Sequence, residues 1–327
     1  MTPSVRLITL TLGLLVAPLI AEAQQAPRLW RVAFLGAESP ATSGHFLDAF
    51  RQGLRDLGYR EGQTITIEAR WAEGRYERFP ALVTELVQLN VHVILALSTP
   101  AALAAKQGTP TTPVVFIASE PLGSGLVASL AQPGGHLTGI ALALGEAFAG
   151  KWLELLQEAM PHASPVAILW NPANPANVGY VQTLQDAAQR LGVTLHPEGV
   201  QDPRQFASAF TAMATARAQA LIVLPDPLTV RYRGQIVELA ATHRLPAMYG
   251  FQEFVPAGGL MAYGSNMSVM CRRAAIYVDK ILKGTKPGDL PVEQFTQFEF
   301  VINLKTAQAL GLAIPPTLLF QADEIIR

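Results

Sequence analysis

Four short apolar runs in this chain each end at a polar residue followed by proline, and that grammar constrains the fold more than any other feature. Val91–Leu97 leads to Thr99-Pro100, Val114–Ile117 to Glu120-Pro121, Val166–Trp170 to Asn174-Pro175 and Ala220–Leu224 to Asp226-Pro227. The runs have the length and Val/Ile content of buried parallel strands. At Thr99, Asn174 and Asp226 the polar residue is placed to cap a helix, with the proline as first helical residue, where its missing N–H costs nothing. In an open α/β sheet such turns share the carboxyl edge of the strands, where ligands bind. A helix start there offers free N–H groups and partial positive charge to an anion. Capped turns are also how any α/β protein is built, so each one carries two readings.

The rest of the chain alternates in the same way. Arg31–Gly36 reads as a strand, and Phe46, Phe50, Leu54 and Leu57 recur at helical spacing from a Thr42/Ser43 cap to a Gly58 stop. Gln63–Trp71 reads as a strand and Tyr76–Leu89 as an amphipathic helix. A helix after Leu97, another near Gly123–Ala131 and a strand near Leu137–Ala141 complete a doubly wound parallel sheet. After a helix over Glu146–Met160 the alternation restarts at Pro165. Strands at Val166–Trp170, Val193–His196, Ala220–Leu224 and Leu245–Met248 are interleaved with helices near Pro175–Leu191, Pro203–Ala216 and Leu228–His243. The restart predicts a second lobe of the same architecture, and 327 residues suit two domains. A short strand at Gly258–Tyr263 and a helix over Met267–Gly284 precede a tail of different character, two strands and a terminal helix.

Residues 1–23 read as a leader rather than as part of the fold. Arg6 precedes an apolar run, Leu7–Ile20, that ends in Ala21-Glu22-Ala23, the pattern of a signal peptide cleaved after Ala23. The run is short of the roughly 20 residues a membrane span needs. Export, most naturally into a periplasm, is the expectation. The net charge of −1 is unchanged by that cleavage and provides no basic field for nucleic acid. The single cysteine, Cys271, sits in a helical pattern and reads as a buried thiol, with no disulfide available. His45, His92, His136, His162, His196 and His243 lack metal-ligand spacing, and neither a G-x-S-x-G elbow nor a P-loop occurs. Gly123–Ala128 fits G-x-G-x-x-A, but an extra loop separates it from its strand, so no dinucleotide and no other cofactor is expected. Two lobes with facing strand-end loops make a cleft that can close on a small molecule by hinge motion.

Several stretches carry a family resemblance: STPAALAAK (Ser98–Lys106), EPLGSGLVASLAQPGGHLTG (Glu120–Gly139), LWNPANP (Leu169–Pro175), LPDPLTVR (Leu224–Arg231), YGFQEFVPAGGLMAYG (Tyr249–Gly264), RRAAIYVDKILKGTKPGDLPVEQ (Arg272–Gln294) and FVINLKTAQALGL (Phe300–Leu312). Together they resemble the substrate-binding proteins of ABC transporters with the type I periplasmic-binding fold, in the subfamily that includes tryptophan/tyrosine-type binding proteins. The resemblance implies two Rossmann-like lobes with parallel sheets, joined by three crossings. Lobe I would hold residues 28–142 plus about 250–285, and lobe II about 143–249 plus 286–327. It also implies a single chain that captures a small molecule in the cleft and delivers it to a membrane permease, without chemistry. A periplasmic sensing module coupled to a signalling partner is the alternative. Where the family usually has Asp-Pro this chain has Glu120-Pro121, and the longer carboxylate narrows or re-aims the pocket.

Candidate contacts follow from the strand-end positions. Ser98 and Thr99 offer hydroxyls and helix N–H groups to an anionic end. Glu120 and Asp226, on turns of opposite lobes, suit a ligand ammonium or, equally, local capping. Asn171 offers hydrogen bonds, and Ser39 lies in a strand-end loop that reaches the cleft. Trp170, Tyr249 and Phe251 supply apolar walls, or else core. Opposed charges of this kind suit a zwitterion, with an amino acid as first expectation.

Overall fold

A computed structural model describes residues 29–142 and 146–327, with the side chains of 146 and 147 excepted. The expected leader lies outside the described residues. The first lobe opens with β1 (Trp30–Gly36), α1 (Pro40–Asp56), β2 (Ile65–Trp71), α2 (Phe79–Gln88), β3 (Val93–Leu97), α3 (Thr99–Gly108), β4 (Val114–Ser119) and β5 (Leu137–Leu142). The second contains α4 (Glu146–Ala159), β6 (Val166–Trp170), α5 (Pro175–Leu191), β7 (Leu195–Gly199), α6 (Phe206–Thr215), β8 (Ala220–Val223), α7 (Pro227–Arg231), α8 (Arg233–Thr242), β9 (Ala247–Tyr249) and β10 (Met261–Ser265). The chain then runs through α9 (Met267–Leu282), β11 (Glu293–Gln294), β12 (Phe298–Asn303), α10 (Leu304–Leu310), α11 (Pro316–Gln321) and β13 (Glu324–Ile326).

Two sheets result, ordered β11-β5-β4-β3-β1-β2 and β13-β12-β10-β9-β8-β6-β7. Their pairings are parallel except for β10 against β12, where Met261 faces Ile302 antiparallel. Parallel strands covered by helices on both faces must be apolar throughout, and β3, β4 and β5 are buried at every position. In the β4–β5 ladder Gly139 lies opposite Phe116, and a Cβ there would stand 2.1 Å from the Phe116 carbonyl oxygen, so only glycine allows this approach.

Each sheet carries a core on each face. In the first lobe α1 and α9 cover one face with Phe46, Phe50, Leu54, Met270, Cys271 and Val278. Gly53 lets them meet, since a Cβ there would fall 2.3 Å from the Arg272 carbonyl oxygen. The other face is sealed by α2 and α3 through Phe79, Val83, Leu86 and Ala102. In the second lobe α4 and α5 bring Trp152, Leu156, Tyr180 and Leu184, while α6 and α8 bring Phe206, Phe210, Ile236 and Ala240. Fully burying each large side chain contributes roughly 1.5–3 kcal/mol. Cys271 is fully buried, and burial raises its thiol well above the ordinary range.

Several elements differ from the sequence reading. No helix forms over Gly123–Ala131, which is a series of turns with Gly125 at φ 73°. Leu126 and Val127 are buried from those turns, which fixes the segment without a helix. The G-x-G-x-x-A string therefore lacks the helix start on which a pyrophosphate would rest. The helix expected over Leu228–His243 is two helices, interrupted at Tyr232 (φ −103°, ψ 23°). The cap of α3 is Ser98, not Thr99: its hydroxyl accepts from the Ala101 N–H. The lobe boundaries shift as well. β10 pairs with β9 and β12, so 261–265 belongs to the second sheet rather than to lobe I. β11 pairs with β5, so 293–294 belongs to the first sheet rather than to lobe II. Three crossings result: after Leu142, between Ser265 and Met267, and between Phe295 and Phe298.

Candidate ligand-binding site between the lobes

The carboxyl ends of β1, β3 and β4 in one lobe face those of β6, β8 and β9 in the other. Where they meet is a cavity of about 30 Å³, lined from the first lobe by Glu38, Leu97, Ser98, Thr99, Ser119, Leu142 and Met267. Asn174, Pro225, Asp226, Pro227 and Phe251 line it from the second. That is room for about one water molecule.

Asp226 organises the second lobe's half. It is 1% exposed and ends the β8 run as the N-cap of α7, accepting from the Leu228 N–H at 2.9 Å. Its Oδ1 also accepts from Asn171 Nδ2 at 3.1 Å and its Oδ2 from Asn174 Nδ2 at 2.9 Å. Asn174 caps α5 in turn, and Asn177 Nδ2 donates to the Pro225 carbonyl at 2.9 Å. The Tyr76 hydroxyl comes from the other lobe and donates to Asp226 Oδ2, so this carboxylate bridges the cleft. The phenol of Tyr180 lies against Ser119, and Glu120 reaches toward α5, with its Cγ 3.8 Å from where a Gly179 Cβ would lie.

The first lobe's half is built on β3 and the loop after β1. Ser98 caps α3 with φ 112°, a conformation that side chains rarely adopt, and its backbone N–H is tied to the Ile117 carbonyl at 2.9 Å. Thr99 Oγ1 donates to the Ser119 carbonyl at 2.8 Å and accepts from the Ser119 N–H at 3.1 Å, locking the β3 turn to the end of β4. Glu38 is buried, with its backbone carbonyl held by the Glu73 N–H at 2.7 Å.

The charges are unbalanced. Burial, together with nearby Glu253 and Asp226, lifts the Glu38 carboxyl to about 7. Burial also raises Asp226, against the opposing pull of its hydrogen bonds from Tyr76, Asn174, Asn171 and the Leu228 N–H. Glu253 is raised by burial too, and its Oε2 has no hydrogen-bond partner among the described residues. No Lys or Arg lines the cavity. Glu253 lies outside the lining and is drawn down in part by Arg233, whereas the two lining acids, Glu38 and Asp226, have no Lys or Arg beside them in the cavity and favour a ligand that brings a cation.

Of the expected contacts, Ser98, Thr99, Asp226 and Phe251 line one cavity. Asn171 stands behind Asp226 and orients it. Glu120 stands outside the lining, and so does Ser39, which is spent on a capping box with Thr42 at the start of α1. Tyr249 belongs to the core, stacked on Phe254 with ring centroids 4.5 Å apart, and Trp170 packs against the α4/α5 core. Glu38, Ser119, Met267 and Tyr76 were not singled out from sequence, and Asn174 was placed there only as a helix cap. Glu38 precedes Ser39-Pro40 at a strand end, the same signal that marked Asp226. Nothing local marks Tyr76, whose partner is 150 residues away.

Comparison with known proteins gives the same architecture and a family. The tyrosine-binding protein of Clostridioides difficile strain R20291 is 26% identical over 264 residues, covering 80% of this chain and 75% of that protein. The crystal structure of an ABC domain from Streptococcus pneumoniae in complex with L-Trp superposes with a TM-score of 0.85 at 25% identity, covering 91% of this chain and 99% of that one. A conserved domain protein from Vibrio cholerae superposes with a TM-score of 0.86 at 25% identity, over 90% and 99% of the two chains. The model of the ABC transporter substrate-binding protein family matches residues 38–326, nearly all of the described fold. The chain belongs to the ABC transporter substrate-binding protein family.

Proposed function

We propose that the protein captures an L-amino acid with an apolar or aromatic side chain between its lobes and hands it unchanged to a membrane permease. The observation that carries the ligand class is the pair of buried acids in the cavity lining, Glu38 and Asp226, with no Lys or Arg in that lining. A ligand ammonium supplies the missing charge. Its carboxylate lies at the Ser98–Thr99 start of α3, where helix N–H groups favour an anion. Phe251, Met267, Leu97 and Leu142 give the side chain an apolar wall. The relatives described as binding tyrosine and as bound to L-Trp support the same class. The chain is exported, with residues 1–23 removed after Ala23, and acts in the periplasm as a single chain that carries out no chemistry and binds no nucleic acid. The apolar leader pattern and the net charge of −1 support these points.

Titration calorimetry of the chain from Gln24 onward tests the ligand assignment. L-tryptophan or L-tyrosine should bind one to one. Tryptamine, lacking the carboxylate, and indole-3-propionate, lacking the ammonium, should each bind at least tenfold more weakly. Asp226→Asn should weaken the zwitterion at least tenfold while leaving cooperative unfolding in place. Equal affinity for indole-3-propionate would remove the ammonium subsite from the assignment.

A further inference from the structure

The second lobe holds a larger cavity away from the cleft, about 290 Å³ between α8 and α10, reaching the amino ends of β9 and β10. Its walls are apolar, from Val237, Leu245, Leu260 and Leu310. Four polar side chains interrupt them. Arg244 and Lys305, both exposed, stand at the rim from opposite helices, and neither side chain makes an ion pair or hydrogen bond among the described residues. Tyr249, only 1% exposed, lines the cavity, and its hydroxyl is without a hydrogen-bond partner among the described residues. The hydroxyl is not one of the sealed-off, unpartnered polar atoms, so it opens onto the cavity. Thr306 also lines the cavity, but its hydroxyl is used, donating to the Gly258 carbonyl at 2.8 Å.

We propose that this cavity is a second ligand site, one that takes a small amphiphilic anion with its apolar body between α8 and α10 and its carboxylate between Arg244 and Lys305. Charge complementarity selects the class. Two unpaired cations over an apolar cavity leave a neutral apolar ligand without its polar partner, and a zwitterion would bury an ammonium with no acid nearby. No residue of this cavity lines the cleft, so the site does not depend on the amino-acid reading. A link between the two exists in sequence, since Tyr249 is followed by Gly250 and then Phe251, which lines the cleft.

Octanoate is the probe, titrated into the mature chain by calorimetry with octanol as the uncharged control. Saturable one-to-one binding of octanoate is expected, at least tenfold tighter than octanol and weakened by added salt. The exposed double substitution R244A/K305A should weaken octanoate at least tenfold with an unchanged thermal midpoint. Tyr249→Phe, which keeps the ring, should weaken it several-fold. Ala309→Trp, on the exposed face of α10 at the cavity, should abolish binding while L-tryptophan binding in the cleft persists. Failure of octanoate to saturate below its micellar range would overturn the proposal. So would octanol binding equally well, or octanoate binding unaffected by R244A/K305A.

Discussion

Glu38 shows what burying a carboxyl at the cleft costs in stability. Its carboxyl titrates near 7 in the folded chain because burial opposes the charged form, against 4.5 for the free side chain. The folded state therefore holds a proton that the unfolded state has released between those values. The contribution to stability is fully present below about pH 4.5 and is lost as pH rises through 7, an effect of about 3 kcal/mol. Glu38→Gln should leave stability near pH 4.5 unchanged and raise it at pH 8 by up to that amount, read from urea unfolding at the two pH values. The same variant should bind L-tryptophan at least tenfold more weakly. A ligand ammonium restores the ionised form, so wild-type binding near pH 6.5 should release a proton and tighten as pH rises. Titrations in buffers of different ionisation enthalpy report that proton, and in Glu38→Gln the release should fall.

At the scale of the element, the β3–α3 junction is the most constrained turn at the cleft. Ser98 sits at φ 112° and ψ 156°, a region essentially reserved for glycine and costing of order 1–3 kcal/mol for other residues. Its hydroxyl caps α3, and glycine at a cap costs only a few tenths of a kcal/mol. Ser98→Gly should therefore raise stability by about 1 kcal/mol while weakening amino-acid binding through loss of the hydroxyl at the cavity. Stability measured by denaturant midpoint and affinity by calorimetry should move in opposite directions. A fall in both would mean that the backbone there is unstrained. The 123–131 segment makes the complementary point. Its apolar residues are spaced for a helix, yet the glycines and the depth at which Leu126 and Val127 pack decide for turns.

For the whole molecule, the cross-cleft hydrogen bond from Tyr76 to Asp226 is one of the contacts that opening must break, beside that of Tyr180 with Ser119. A hydrogen bond to a charged group contributes about 1.5–3 kcal/mol, enough to shift a closed–open ratio roughly ten- to a hundredfold. Tyr76→Phe should increase the ligand-free radius of gyration in small-angle scattering and bring it back toward the wild-type value when L-tryptophan binds. An identical ligand-free radius in the two proteins would show that this bond does not hold the lobes together.

The sequence by itself determined the α/β class, most of the strand–helix order and the strand ends that meet at the cleft, because these follow from apolar periodicity and local capping chemistry. Asp226 was legible for that reason, and Asn174 was legible as a cap though not as a cleft residue. The tertiary structure alone decided which strand ends share the cavity, that Tyr249 turns into the core, and that Tyr76 reaches Asp226 across the cleft. It also set the lobe membership of β10 and β11, since a short strand carries no signal of the sheet it joins. Those outcomes depend on hydrogen-bond ladders and packing between residues far apart in the chain, and the sequence around any one of them cannot encode its partner.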